Sequence, residues 1–569
     1  MSEQKVVVAV EGCGHGTLNA IYAAVERHAK EQGEDGVDLL IIGGDFQAVR
    51  NAADLTVMAV PAKYREMGDF HEYYSGARKA PYLTIFVGGN HEASSHLWEL
   101  FYGGWVAPNI YYMGAANVLR FGPLRIAGMS GIWKGFDYRK PHHERLPFSG
   151  DDIKSFYHVR ELDIRKLLQL RTQVDIGISH DWPRAIERHG DANKLWRMKP
   201  DFRQESIDGT LGNLAAANAM DRLRPAYWFS AHMHCKFAAV KTYDPPKATT
   251  TEPSDNSAPD THKDVREEAI PVESATDAKV ANPEEIDLDL DHDEPPTNST
   301  PDPTTTQPTG GDDTAEDLRS LLPASFSKPT LPLRPPTQPK EIAVPEGITN
   351  TTTRFLALSK CLPGHKFLQL LPIQPLDSTN FDRYPSITRE SPSPGSPRYK
   401  LQYDPEWLAI TRVFHKHLVI GDRTAQTPPD LGEEHYRPLI EEEEKWVDEN
   451  ITQKGKLGVP DNFAITAPIH NPGDPESTDD QPEEYTNPQT AQFCELIGVT
   501  NLWDATEEER AERKARGPPP SEFRGGHHGG RRGGYRGGGH RGGGGYRGGG
   551  RGRGRGGGGR GGRGRGRGW

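Results

Sequence analysis

The chain has 569 residues, 34% of them hydrophobic, with a mean hydropathy of −0.72 and a formal net charge of −12. That is too polar for a chain packed throughout, and its 47 prolines and 62 glycines gather in the middle and at the end, so the folded mass is expected to be nearer half the chain than all of it. Four scattered cysteines (Cys13, Cys235, Cys361 and Cys494) form no disulfide framework, and no apolar run nears the roughly 20 residues a bilayer requires, which argues against a stapled secreted module and a membrane-spanning helix. No signal peptide is expected, because the apolar start at residues 5–10 runs straight into Glu11, and a reducing compartment follows.

In chain order, short apolar runs end in polar, glycine-rich turns. Residues 6–10 end at Glu11-Gly12-Cys13-Gly14-His15-Gly16, residues 37–42 at Gly43-Gly44-Asp45, and residues 82–87 at Gly88-Gly89-Asn90-His91. Residues 174–178 end at Ser179-His180-Asp181, and residues 227–229 at Ser230-Ala231-His232-Met233-His234. Such runs suit strands buried on both faces, with helical stretches such as 18–30 between them. The pattern predicts an α/β sandwich over residues 1–243, with function at the carboxyl ends of the strands.

Residues 244–347 shift to Pro, Thr, Ser and acids, with 285–291 as the acidic extreme, and are expected to be a disordered insertion unable to bury enough apolar surface. Order is expected to resume in a smaller, partly ordered C-terminal portion, 348–516, with strands at 354–359 and 367–373 and helices at 407–417, 433–451 and 507–516. Residues 517–569 are an RGG-rich tail. Its arginines, against the single acid Glu522, put it at about +12 and leave about −24 on the body. Electrostatic capture of a polyanion is therefore expected in the tail, whose arginines and interspersed Tyr535 and Tyr546 suit sequence-tolerant RNA binding.

The five strand-end turns supply Cys13, His15, Asp45, Asn90, His91, His180, His232 and His234. One histidine in a loop is usually just a hydrogen-bonding residue. Nitrogen, oxygen or sulfur donors at five strand ends are different, because adjacent strands bring their ends together, and they predict a metal site. Two divalent ions at such a site can hold a phosphate and activate a water at neutral pH. A carboxylate such as Asp45 can bridge the pair, and a thiolate biases its own site towards Zn(II) or Fe(II).

The order D/C-x-H, G-D, G-N-H, H and G/A-H-x-H resembles the calcineurin-like metallophosphoesterase superfamily. Within it, Gly12–Gly16, Gly44-Asp45-Phe46-Gln47-Ala48-Val49-Arg50-Asn51, Gly88–Glu92 and Ile178-Ser179-His180-Asp181-Trp182-Pro183 are similar to the RNA lariat debranching enzymes, as is Leu356-Ala357-Leu358-Ser359-Lys360-Cys361-Leu362-Pro363. Cysteine at position 13, where most of the superfamily has aspartate, supports the narrower likeness. The departures are Gly14, where family members often carry a second cysteine, and the long acidic insertion.

The resemblance implies one metal site from Cys13, His15, Asp45 and His234 and another from Asp45, Asn90, His180 and His232, filled by Fe(II), Zn(II) or Mn(II). It implies that His91 is the general acid, and that Glu92 and Asp181 support the site without binding metal. It also implies a lariat recognition loop over 131–158, where Trp133, Lys134, Tyr138, Arg139, Lys140, Tyr157 and His158 interleave aromatics with cations, a composition that suits stacked bases and phosphates. The function implied is hydrolysis of the 2′-5′ phosphodiester of branched intron RNA, with nuclear residence because lariats arise from splicing. The alternatives are a general nucleic-acid metallophosphodiesterase and a non-catalytic RNA-binding scaffold. Every candidate ligand position holds a competent donor, which argues against the scaffold.

Overall fold

Along the first strand, Val6, Val8 and Val10 point one way and Ala9 the other, and all four are buried. The three valines join the apolar layer between two sheets, while Ala9 packs under the helix Leu18–Glu31 through Ile21, Tyr22 and Val25. A strand covered on both faces is what its unbroken apolar run dictates. The computed structural model describes residues 5–243, 343–377 and 398–520. The expected insertion at 244–347, except its last residues, and almost all of the RGG-rich tail lie outside the described residues.

The strands are β1 (Val6–Glu11), β2 (Leu39–Ile42), β3 (Thr84–Phe86), β4 (Gly104–Ala107), β5 (Ile110–Tyr112), β6 (Ala116–Phe121), β7 (Leu124–Met129), β8 (Ile176–Ser179), β9 (Tyr227–Ser230), β10 (Phe237–Thr242), β11 (Thr352–Ala357), β12 (Leu368–Ile373) and β13 (Leu401–Tyr403). They form a six-stranded sheet in the order β12-β1-β2-β3-β5-β4 and a seven-stranded sheet in the order β10-β11-β9-β8-β7-β6-β13. The pairs β1–β2 and β2–β3 in one sheet, and β7–β8 and β8–β9 in the other, are parallel. Their carboxyl ends therefore lie side by side, the arrangement that places a site at one edge of an α/β sheet.

The residues beyond 348 do not stand apart. β11 inserts between β9 and β10, parallel to the first and antiparallel to the second, while β12 pairs antiparallel with β1 and β13 with β6. The later part of the chain thus completes both sheets. It ends in the helices Pro405–His415, Glu433–Val447, Pro488–Leu496 and Glu507–Arg516. The first of these starts with Pro405 in the opening turn, where a missing N–H costs nothing, and with the Asp404 side chain accepting from the Trp407 N–H at 3.1 Å.

A buried ionic network fastens this later chain to the loop that carries Asp45. The fully buried Arg50 donates from Nε to Asp54 Oδ2 at 2.9 Å, and from Nη1 to Glu99 Oε1 at 2.6 Å and Thr466 Oγ1 at 2.9 Å. Thr466 in turn donates to Glu99 Oε2 at 2.7 Å. Replacing Arg50 by methionine would strand two buried carboxylates, so a loss of about 3–5 kcal/mol is expected in urea unfolding. A midpoint unchanged from the wild type would contradict the network's role.

Candidate metal centre at the strand ends

Each turn leaving a parallel strand brings one or two donors to a common point. Cys13 and His15 follow β1, Asp45 follows β2, Asn90 and His91 follow β3, His180 follows β8, and His232 and His234 follow β9. The turns are sharp enough to force non-glycine residues into left-handed backbone: φ is 41° at His15, 45° at Asp45, 59° at His232 and 49° at His234. Each such residue stores of order 1 kcal/mol or more of strain, which the surrounding packing must hold.

Two donor sets meet at the buried Asp45. Ligand atoms of Cys13, His15, Asp45 and His234 all lie within 4.8 Å of one another. In this set His15 Nε2 is 3.3 Å from His234 Nε2 and 3.7 Å from Asp45 Oδ2. Across the carboxylate, Asp45 Oδ1 is 3.4 Å from His180 Nε2, which is itself 3.3 Å from Asn90 Oδ1. His180 Nδ1–H donates to the Gly43 carbonyl at 2.9 Å, leaving its Nε2 a bare lone pair when the ring is neutral. Three acceptors (His180 Nε2, Asn90 Oδ1 and Asp45 Oδ1) then converge with no proton between them. Asp45 Oδ2 is buried without a hydrogen-bond partner. This chemistry fits cations, one on each side of the carboxylate. His232 stands beside the second set, its ring centroid 5.0 Å from that of His180, and its backbone N–H donates to Cys13 Sγ at 3.2 Å.

The electrostatics agree with that use. Burial alone would raise the Asp45 carboxyl, but His180, His91, His15 and His232 outweigh it and hold Asp45 well below the usual carboxylate range. Burial is the main cause that keeps His180 below its ordinary value and favours the neutral, ligating ring. Glu92 accepts backbone N–H bonds from Phe46, Gln47 and Gly89 at 2.8, 2.8 and 2.9 Å, so it ties the Asp45 turn to the Asn90 turn. Burial, helped by the Asp45 charge, pushes it up to about 7. The His91 backbone N–H donates to Asp45 Oδ1 at 2.9 Å, and its ring lies 5.7 Å from that of His15, at the edge of the centre.

Two glycines leave the room this needs. A Cβ at Gly44, where φ is +127°, would lie 2.2 Å from His180 Nδ1, and one at Gly89 would lie 2.1 Å from Asp45 Oδ1. Gly89→Ala is therefore expected to reduce metal content and turnover together, roughly 10- to 100-fold in activity, although no ligand is changed. Plasma emission metal analysis beside kinetics checks this, and full metal loading would contradict it.

The 131–158 loop is fastened to the same rim, for the Trp133 N–H donates to Asp181 Oδ2 at 3.3 Å. Its named residues divide. Arg139 and Lys140 are exposed, and Trp133, Lys134 and Tyr138 are half-buried. Tyr157 and His158 are buried instead. His158 Nδ1 lies 2.6 Å from Asp137 Oδ2. Two residues beside the site escaped the sequence reading. The Gln47 amide nitrogen is 3.3 Å from His15 Nδ1, and the Arg184 guanidinium lies 5.7 Å from the Trp133 ring centroid. Gln47 stood within a quoted motif, two residues past Asp45; Arg184 is three past Asp181, with no periodicity to mark it.

With this geometry in place, comparison with known proteins is informative. The calcineurin-like phosphoesterase family matches residues 6–236, and the family described as lariat debranching enzyme, C-terminal domain, matches residues 350–502. A lariat debranching enzyme of Schizosaccharomyces pombe is 39% identical over 513 residues, which is 90% of this chain and 98% of that protein. The Arabidopsis thaliana enzyme of the same name is 36% identical over 88% of each chain, and the Homo sapiens one 37% identical over 87% of this chain and 69% of its own.

Proposed function

The chain belongs to the lariat debranching enzyme family, and from that premise we propose that it hydrolyses the 2′-5′ phosphodiester of branched intron RNA in a metal-dependent reaction. The observation that carries this reading is the meeting of Cys13, His15, Asp45 and His234 within 4.8 Å at the ends of parallel strands. Those four would hold one divalent ion, and Asp45, Asn90, His180 and His232 a second. Ions held there supply charge neutralisation at the phosphate and activation of a water at neutral pH. The sulfur of Cys13 favours Fe(II) or Zn(II) in its set, and the oxygen and nitrogen donors of the other suit Mn(II).

His91 protonates the departing 2′ oxygen. A bond forms between water oxygen and phosphorus, the bond from phosphorus to the 2′ oxygen breaks, and the products are a free 2′-hydroxyl and a 5′-phosphate. Support for His91 comes from its anchorage to Asp45 and its place at the edge of the centre, where it can reach a leaving group without joining either ligand set. Trp133 and Tyr138, with Arg139, Lys140 and Lys134 around them, supply the aromatic and cationic face for the RNA around the branch. The arginine-rich tail adds sequence-tolerant affinity, a reading that rests on its composition. The protein works in the nucleus on the same reading, because its substrate arises there.

The ends of the product test the direction of cleavage. A branched RNA should yield a strand degraded by a 5′-phosphate-dependent exonuclease. A phosphate left on the 2′ oxygen of the branch would overturn the proposal.

A further inference from the structure

The reaction leaves unused a group of lysines beside the centre. Lys236 follows His234 by two residues, at the entry to β10. Lys366 precedes β12; its carbonyl accepts the Ser359 N–H at 3.2 Å, and the Ser359 hydroxyl donates to the His234 carbonyl at 2.9 Å. Lys194 projects from the helix Ala192–Met198, and Lys199 ends that helix. Lys194 and Lys366 are exposed, and Lys199 and Lys236 half-buried.

Lys236 Nζ donates at 2.7 Å to the neutral Gln369 Oε1, and among the described residues none of the four forms an ion pair. Positive charge gathered in one place repels itself, and an arriving polyanion relieves that repulsion. The site's substrate is such a polyanion.

The position is equally informative. In the seven-stranded sheet, β7 leads into the 131–158 loop on one side of β9, and β10 lies on the other side. Lys236, at the start of β10, therefore lies on the side of the His232–His234 turn away from the recognition loop; the bridge from Gly190 to Ala239 sets the start of the Lys194 helix against β10, and the bond from Lys236 to Gln369 joins it to the strand that follows Lys366. A branched RNA has three arms leaving one phosphate-linked centre, and a single loop cannot hold them all. We propose that Lys194, Lys199, Lys236 and Lys366 form a track that binds the backbone phosphates of one RNA arm running away from the branch. The track rests on the reading of the site as a branched-RNA hydrolase, and it reads charge and not sequence.

The test uses full-length protein and branched RNAs with arms of about two and about ten nucleotides beyond the branch. The double variant K194A/K366A changes two exposed side chains. It is expected to lower the long-to-short ratio of kcat/KM roughly 10-fold, and to reduce the salt dependence of long-arm binding by about 1.4 in log–log slope, as loss of two single-strand phosphate contacts requires. K194R/K366R, which keeps the charge, should restore the ratio. Lys30→Ala, on the remote Leu18–Glu31 helix, should leave it at the wild-type value. An unchanged ratio and salt slope in K194A/K366A would overturn the track, as would an equal loss on both RNAs. Failure of the wild type to cleave either RNA would sink the debranching reading itself. The binding difference, read by fluorescence anisotropy on metal-stripped protein, would still decide the track.

Discussion

Asp45→Ala is expected to lower kcat/KM on a 2′-5′ branched RNA by roughly 10³-fold or more and to leave the centre largely without metal. The Asp45 side chain lies between the two donor sets. Its Oδ2 looks towards His15, and its Oδ1 towards His180 and the His91 backbone N–H. Removing it takes the shared carboxylate from a cluster of imidazoles, so cations lose both a ligand and their counter-charge. The His91 turn loses its anchor as well. Metal analysis of purified protein and steady-state kinetics would check this. Retention of two ions per chain, or activity within tenfold of the wild type, would contradict the bridging role.

His91→Ala should behave differently. A loss of about 10² to 10⁴-fold in kcat is expected, with metal content unchanged, because a general acid contributes to proton transfer and not to ligation. A second substrate separates that role from damage to the centre. An aryl phosphodiester with a nitrophenolate leaving group needs no proton to depart, so the variant should hydrolyse it at close to the wild-type rate. An equal loss on both substrates would make His91 a structural or metal-binding residue, and loss of bound metal would do the same.

The sequence made the centre legible because its donors sit directly after strands, and a strand end is fixed by a short apolar run followed by glycine. Cys13, Asp45, Asn90 and His180 could be placed this way without knowing how the sheets are ordered. Partners across the fold could not. The runs at 354–359 and 367–373 read as strands, yet nothing in their alternation says that one enters between β9 and β10 and the other caps β1. Those choices depend on packing against residues more than a hundred positions away. The same limit separates Tyr157 and His158 from Trp133. All three read as loop aromatics or imidazoles suited to RNA, but the burial of Tyr157 and of His158, the latter against Asp137, is a tertiary fact. Arg50 read as one letter of a motif, and its bond to Thr466 spans 416 positions.

This centre cuts branched RNA at its 2′-5′ linkage with bound metal. The most direct measurement takes metal-stripped full-length protein, returns Mn(II), Fe(II) or Zn(II) separately, and follows a synthetic 2′-5′ branched RNA beside a linear 3′-5′ RNA of the same composition. Release of the branch with at least one metal, none without metal, and an intact linear RNA is the predicted result. Equal cleavage of both RNAs, or release of the branch by metal-free protein, would contradict the account.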